Sequence, residues 1–481
     1  MNESRQTVRH VAALAVQRVV LTAAGFLFAA VIPRVMGPEV FGQFSTLLAS
    51  SLWFSLMSGF GAVSLMTRFV PDLMERGERE GVRKLASNLL TLRAASGVAS
   101  AVVYVAIARL WLADLPGWAI AMAGIGVTAR TLANLPFTLF LGLNEAARWG
   151  AADVGRRLLL FPFVYGGYVL WGLTGACGGL FLTELVILAL GLWWSREYTV
   201  WRLMKLDMAF LRPFLRFSAA FFWANLLLTL FHQGGAPFVQ FVSGDYKEAG
   251  FYSIAFGAYL AGVQGVWKLL SAFGPLLTAL HARGDREALE GWVNRLLVVL
   301  GLGSVTAAAV AFEYGRWVVE RVFGPGYEQV AALLPVLGVA GLFIGPSGVA
   351  RLLAVACDLP KVSVVGAALQ VGVFVAAGAM VVPVMGSVGA AWVVTGAAAL
   401  YAAFVTWRVR GVVRYRMRPW LKVVGAGVVL TPVLLVGGFG FPVFFGAYAA
   451  FLAWLGVLRK AELQPLWEGL RRGKPEPSSA G

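Results

Sequence analysis

Charge is what this sequence has least of. Of its 481 residues only 13% are Asp, Glu, Lys or Arg, against 59% of hydrophobic types, where a soluble chain carries about a quarter charged residues. So small a polar complement cannot cover a water-soluble fold of this length. Cysteine is nearly missing: Cys177 and Cys357 lie in apolar or membrane-edge sequence, which excludes a disulfide framework and a thiolate metal site. The three histidines, His10, His232 and His281, are far apart and match no ligand spacing. Neither a metal nor any other cofactor is expected. Acid is scarcer than base, 24 residues to 40, for a net charge of +16. That excess would suit a nucleic-acid partner, but its placement argues for membrane topology instead, and no nucleic-acid binding is expected.

What the chain does have is apolar sequence in blocks of about twenty residues, enough to cross a hydrocarbon core of ~30 Å. Lipid offers no hydrogen bonds to bare backbone, so a spanning chain is helical or a closed barrel. Runs such as Val371–Val382 lack the alternation of a barrel strand. Helical segments are expected at 11–32, 42–66, 86–110, 117–141, 154–172, 175–194, 214–241, 249–280, 292–312, 328–355, 361–382, 386–407, 420–437 and 440–458. With the N-terminus inside, 31 of the 40 Lys and Arg fall in inside loops or the tail, 5 in outside loops and 4 within helices. This is a strong positive-inside pattern, and it places both termini in the cytoplasm. Met1–His10 is polar, with no cleavable leader expected, and the tail Lys474–Gly481 reads as disordered. The outside loops are short, the longest spanning about 313–327, and no carboxylate or His cluster gathers at one face. Both features weigh against a membrane glycosyltransferase or polymerase. The chain is not expected to be an enzyme.

The sequence also repeats itself. Gly37-Pro-Glu-Val-Phe-Gly42-Gln-Phe44, after the first segment, matches Gly244-Asp-Tyr-Lys-Glu-Ala-Gly250-Phe-Tyr252, after the seventh. Gly172-Leu-Thr-Gly175-Ala176 matches Gly386-Ser-Val-Gly389-Ala390. The offsets from Gly42 to Gly250 and from Gly172 to Gly386 are nearly equal, so the two landmarks agree on one period. The expected fold is therefore an all-α membrane protein of about fourteen transmembrane helices. One six-helix bundle would span 1–205 and a second, in the same orientation, 206–410. Two further helices (411–460) and a cytoplasmic tail (461–481) would follow. Parallel repeats of this kind suggest a substrate path shared by the halves.

Pro33-Arg-Val-Met-Gly37-Pro-Glu-Val-Phe-Gly42-Gln-Phe44, Gly59-Phe-Gly61, Arg68-Phe69 and Val322-Phe-Gly-Pro-Gly-Tyr327 resemble turns of a known family. It is the polysaccharide- and O-antigen-type flippase family of the multidrug/oligosaccharidyl-lipid/polysaccharide superfamily, and the resemblance runs from the first helix to the last. It implies a fold like that of the superfamily's multidrug (MATE) exporters. It also implies alternating-access transport of a polyprenyl-pyrophosphate-linked oligosaccharide from the inner to the outer leaflet, for cell-surface polysaccharide biosynthesis. The implied partners are that lipid-linked glycan, membrane lipids and glycan-assembly enzymes. The implied place is the inner (plasma) membrane, and a monomer is expected. A cation-coupled drug exporter of the same superfamily is the alternative.

An ionised side chain in hydrocarbon costs roughly 2.5–3.5 kcal/mol on insertion scales, so each one needs a reason. Lys268 lies near the middle of the eighth segment, one turn after Gln264, and its own half offers no mid-membrane acid. Arg130 lies mid-way along the fourth, on a face with Asn134 and Thr138. Arg18 and Arg93 sit inside the cytoplasmic ends of the first and third. The seventh segment carries a polar stripe of Asn225, Thr229, His232 and Gln240. One reading is a cationic cavity for a pyrophosphate, where Arg offers a planar fork and Lys a point charge. The other readings are snorkelling for Arg18 and Arg93, an ion pair with Glu184 for Arg130, interhelical hydrogen bonding for the stripe, and packing for His232. Glu184, the one mid-helix acid, is the candidate for coupling to a proton or Na⁺. Gly274-Pro275 and Gly345-Pro346 should each break a helix, either as working bends or as static kinks.

Overall fold

The computed structural model of the chain describes the backbone of residues 2–59, 62–143, 145–196, 198, 202–203, 205–357, 359–411, 413–415, 417–435 and 440–455. Side chains are described for these except 2–20, 22, 62–64, 146, 209, 213–225, 228, 360 and 435. Phe60, Gly61 and the tail lie outside the described residues.

Every regular element among the described residues is helical. The chain runs α1 (Asn2–Met57), α2 (Ala62–Glu75), α3 (Arg79–Trp111), α4 (Gly117–Gly142), α5 (Ala146–Ser195), α6 (Met208–Ser243), α7 (Tyr246–Ser271) and α8 (Gly274–Ala282). It continues as α9 (Arg286–Val322), α10 (Glu328–Leu342), α11 (Ile344–Ala356), α12 (Pro360–Val409), α13 (Met417–Leu430), a 3-10 turn (Thr431–Leu435) and α14 (Gly440–Trp454). Six of the described helices are long and apolar enough to cross a membrane, or eight if each bent pair counts as one span. Within the described residues, each of the fourteen expected segments maps to a helix, a bent pair or one half of a kinked helix.

The breaks fall where glycine and proline stand. The three longest helices are kinked, α1 at Gly37 (φ 74°), α5 at Trp171 and Gly172, and α12 at Gly386. Both Gly-Pro pairs open a new helix, with α7 and α8 bent by 44° and α10 and α11 by 40°. Elsewhere the expected boundaries need correction. The second segment stops at Met57, and the stretch from Thr67 to Glu75, read as loop, belongs to α2. That helix buries Leu65, Met66 and Val70 and exposes Arg68, an amphipathic pattern that a search for long apolar runs passes over. Likewise α3 begins at Arg79, α5 at Ala146 and α9 at Arg286, each about a turn or two before the apolar run. Polar terminal turns prolong these helices, and hydropathy registers only their apolar parts.

The chain forms two compact units, Met1–Ile254 with Val322–Tyr327, and Ala255–Arg321 with Glu328–Gly481. The units follow packing, so the first includes α6, which lies along α1, although α6 opens the second sequence repeat. An Asp207 N-cap starts α6 by accepting the Phe210 amide at 2.9 Å, while the Asp207 amide donates to Asn88 Oδ1 on α3. In the first unit Phe44, Leu47 and Tyr104 lie in one apolar cluster and Leu85, Leu89 and Leu135 in another.

The repeat is visible in the backbone. Helices α5 and α12 are each 50 residues long. They start (Ala146, Pro360) and end (Ser195, Val409) at one and the same offset along the chain. Their kinks have matching dihedrals, φ 58°, ψ −141° at Gly172 and φ 57°, ψ −141° at Gly386. A residue with a Cβ resists that left-handed φ. The other landmark is a contact in the first unit: a Cβ on Gly42 would lie 1.7 Å from the Tyr246 carbonyl oxygen and 3.2 Å from Gly250 N. Beside it, Tyr327 Oη donates to the Pro33 carbonyl at 2.6 Å, so the Val322–Tyr327 loop docks at the kink of α1.

Candidate functional site

The first unit holds a cavity of about 380 Å³ lined from α1, α3, α4, α5 and α6. Three arginines reach it: Arg93 from α3, Arg130 from α4 and Arg156 from α5. Each is held differently.

Arg93 is 6% exposed. Its Nη1 donates to the Thr131 carbonyl at 2.9 Å and its Nη2 to the Gly59 carbonyl at 3.0 Å, while Nε has no hydrogen-bond partner. Gly59 lies just past the end of α1, where the carbonyl dipoles favour a cation. Ser58 and Thr131 hydroxyls meet at 2.7 Å, and Ser96 donates to the Ser58 carbonyl at 3.1 Å. These bonds join α1, α3 and α4 around the guanidinium. Because α3 begins at Arg79, Arg93 stands about 21 Å along it at 1.5 Å per residue. The side chain turns inward to these carbonyls and lines the cavity.

Arg130 Nη1 donates to Glu184 Oε1 at 3.0 Å, the ion pair anticipated from their mid-helix positions. Arg156 completes it. Its Nε donates to Glu184 Oε1 at 2.8 Å, and its Nη2 to Glu184 Oε2 and to Asn134 Oδ1 at 3.0 and 2.9 Å. Asp153 stands 3.4 Å from Arg156 Nη1 and is largely exposed. Glu184, on α5 beyond its kink, is the one buried acid among the described residues. The cluster thus has three cations and two anions, and among the described contacts Arg93 has no carboxylate.

Arg156 is the residue that sequence reasoning missed. It falls at the very start of the expected segment 154–172, where it counts among the inside-loop charges, but α5 starts at Ala146, which puts Arg156 well inside the helix and 14% exposed. Its place on the same kinked helix as Glu184, in the opposite half, was the available signal. Of the α6 stripe, Thr229 lines the cavity, joined by Gln233. His232 and Gln240 do not line it: His232 is half-buried against Phe231, and Gln240 is 7% exposed, with Oε1 unpartnered. Arg18 and Asn225 have side chains outside the described residues.

Lys268 and Gln264 belong to the second unit. Lys268 stands in the last turn of α7, just before the Gly274-Pro275 break, and both side chains are exposed. Nearby in sequence, Trp267 carries Arg351 of α11 over its ring at 4.2 Å, a cation–π contact.

A family model described as "Polysaccharide biosynthesis protein" matches residues 7–281. The chain belongs to that family. No curated protein matches it significantly. Among solved structures it is similar to one titled "Lipid II flippase MurJ, inward closed conformation", with a TM-score of 0.72 at 12% identity over 97% of this chain and 100% of that one. It is also similar to an inward-facing multidrug resistance MATE family transporter, with a TM-score of 0.64 at 16% identity over 82% of this chain and 94% of that one. A third, a transporter from Pyrococcus furiosus described as having a binding pocket of reverse polarity, has a TM-score of 0.56 at 16% identity over 85% of this chain and 95% of that one. The fold of the chain is therefore the helical membrane fold that these structures share, and the protein is multi-pass.

Proposed function

We propose that this protein flips a polyprenyl-pyrophosphate-linked oligosaccharide from the inner to the outer leaflet of the plasma membrane by alternating access. The observation that carries the reading is the convergence of Arg93, Arg130 and Arg156 on one cavity, with Arg93 buried and, among the described contacts, facing no carboxylate. Guanidinium forks match phosphate oxygens, and they are worth more in a poorly hydrated cleft than in water. Asn134 joins Arg156 at the cavity, and Lys268 and Gln264 on α7 are the candidate substrate contacts of the second unit. Arg18, Asn225, His232 and Gln240 are lesser candidates. Both termini face the cytoplasm, on the strength of the charge bias of the loops. The protein works as a monomer beside the enzymes that assemble the glycan.

Membrane potential favours the proposed direction. An anionic headgroup moving outward from an inside-negative cell gains ~2.3 kcal/mol per charge per 100 mV for a full crossing. An empty cationic cavity is drawn back inward. If a proton or Na⁺ is coupled as well, Glu184 is the carboxylate to test.

The MATE-like fold also suits a multidrug exporter, the second reading. An organic cation needs an acid to meet it, and the buried acid here already serves two arginines. Proteoliposomes carrying a fluorescent lipid-pyrophosphate glycan separate the two. The protein should flip that lipid, and Lys268→Ala and Arg130→Ala should each slow it by roughly tenfold, the worth of one charge-assisted contact. Export of amphiphilic cations without flipping, or flipping unchanged in both variants at normal protein level, would overturn the reading.

A further inference from the structure

An acid among arginines meant for an anion is at first sight counterproductive, because it cancels one of three positive charges. Both oxygens of Glu184 are engaged, Oε1 by Arg130 and by Arg156 Nε, and Oε2 by Arg156 Nη2. The helix itself does not need the pair. At the matching positions of α12, Gln370 stands for Arg156 and Ala398 for Glu184, and α12 has the same length and the same kink.

Two physical consequences follow from the arrangement. Without Glu184, three guanidiniums would face one poorly hydrated cavity with mutual repulsion. With it, Arg130 and Arg156 are held in place by charge-assisted bonds. Each can then exchange one anionic oxygen for another without first being stripped of water. Among the described contacts Arg93 has no carboxylate to give up: its Nη1 and Nη2 are held by carbonyls and its Nε is buried without a hydrogen-bond partner.

Resting on the reading that this cavity receives phosphate, we propose that Glu184 is a resident counter-ion. Phosphate oxygens of the substrate replace Glu184 on Arg130 and Arg156, with the charge of Arg93 beside them at the same cavity. When the substrate leaves, Glu184 returns. The carboxylate therefore sets how readily the site lets go, which a carrier needs as much as capture. Glu184 acts through the arginines, as a positioning residue that weakens binding in order to permit release.

The test is binding of inorganic pyrophosphate to the purified full-length protein by calorimetry, beside the flipping assay. Glu184→Gln should bind pyrophosphate roughly tenfold more tightly, the loss of one charged competitor, and should flip the lipid-linked glycan more slowly. A carboxylate that only orients the arginines gives the opposite result, weaker binding in Glu184→Gln. A second measurement needs no variant: modification of Glu184 by a hydrophobic carbodiimide, read by mass spectrometry, should rise severalfold in saturating pyrophosphate. Pyrophosphate binding that depends on Arg93, with neither tightening in Glu184→Gln nor a rise in labelling, overturns the counter-ion role and leaves the phosphate site standing. No binding, or binding indifferent to Arg93→Leu, overturns the phosphate site and the counter-ion role with it.

Discussion

Helices α5 and α12 are the same structural piece used twice, with equal lengths and equal kinks, yet one is charged within and the other is not. Where α5 has Asp153, Arg156 and Glu184, α12 has Ala367, Gln370 and Ala398, all three buried. The pair α3 and α9 repeats the contrast. Both begin with Arg-Glu (Arg79-Glu80 and Arg286-Glu287), and in that register Arg93 corresponds to Leu300, which is 5% exposed. The architecture thus forms equally well without these charges. An ionised group in hydrocarbon is costly, and in the first unit the charges meet at the cavity, where the proposed function gives them a use.

Exchanging residues between the two copies probes that contrast. The largest effect is expected from Leu300→Arg, which puts a guanidinium into the apolar cluster of Leu296, Leu297 and Val349. It should cost about 3–5 kcal/mol, the scale of an uncompensated buried charge, and show as loss of monodisperse protein on gel filtration. A normal yield would mean that the second unit holds a polar cradle like that of Arg93. Next, Arg156→Gln leaves Glu184 with Arg130 alone and should cost about 2–3 kcal/mol. Adding Glu184→Ala, so that α5 reads as α12 does, should recover most of it. Thermal midpoints of the two singles and the double give the coupling, and additive losses would contradict the ion-pair account. The smallest effect is expected from Gly172→Ala and Gly386→Ala, which force a Cβ into the left-handed region at about 1–2 kcal/mol each. Their midpoints should fall equally, and a clear inequality would break the equivalence of the two kinks.

Much of this was legible in the sequence because its signals are local. Helices announce themselves as apolar runs, and the kinks at Gly37, Gly172 and Gly386 sit in glycine motifs that also reveal the repeat. Arg130 and Glu184 could be paired because opposite charges, each buried mid-helix in one half, have few other partners. Arg156 could not, because an Arg-Arg pair at the end of an apolar run looks the same whether it lies in a cytoplasmic loop or one turn inside a cavity. Helix α2 escaped for a similar reason, since its charged residues mask an amphipathic face. The cradle of Arg93 is made of the carbonyls of Gly59 and Thr131, and backbone atoms carry no sequence signature. Lys268 and Arg93 looked alike as buried cations, but only the fold separates an exposed side chain at a helix break from one enclosed by three helices.

The central claim is that the charges of the first unit serve an anionic substrate and not the fold. Its most direct test is Arg93→Leu, which gives α3 the residue that α9 has, assayed in proteoliposomes with a fluorescent lipid-pyrophosphate glycan. The variant gives up two bonds to carbonyls, so flipping is compared at equal amounts of monodisperse protein, and it should fall by roughly tenfold or more, as expected when a buried charge-assisted phosphate contact is removed. Parent-like flipping by well-folded Arg93→Leu would contradict the claim.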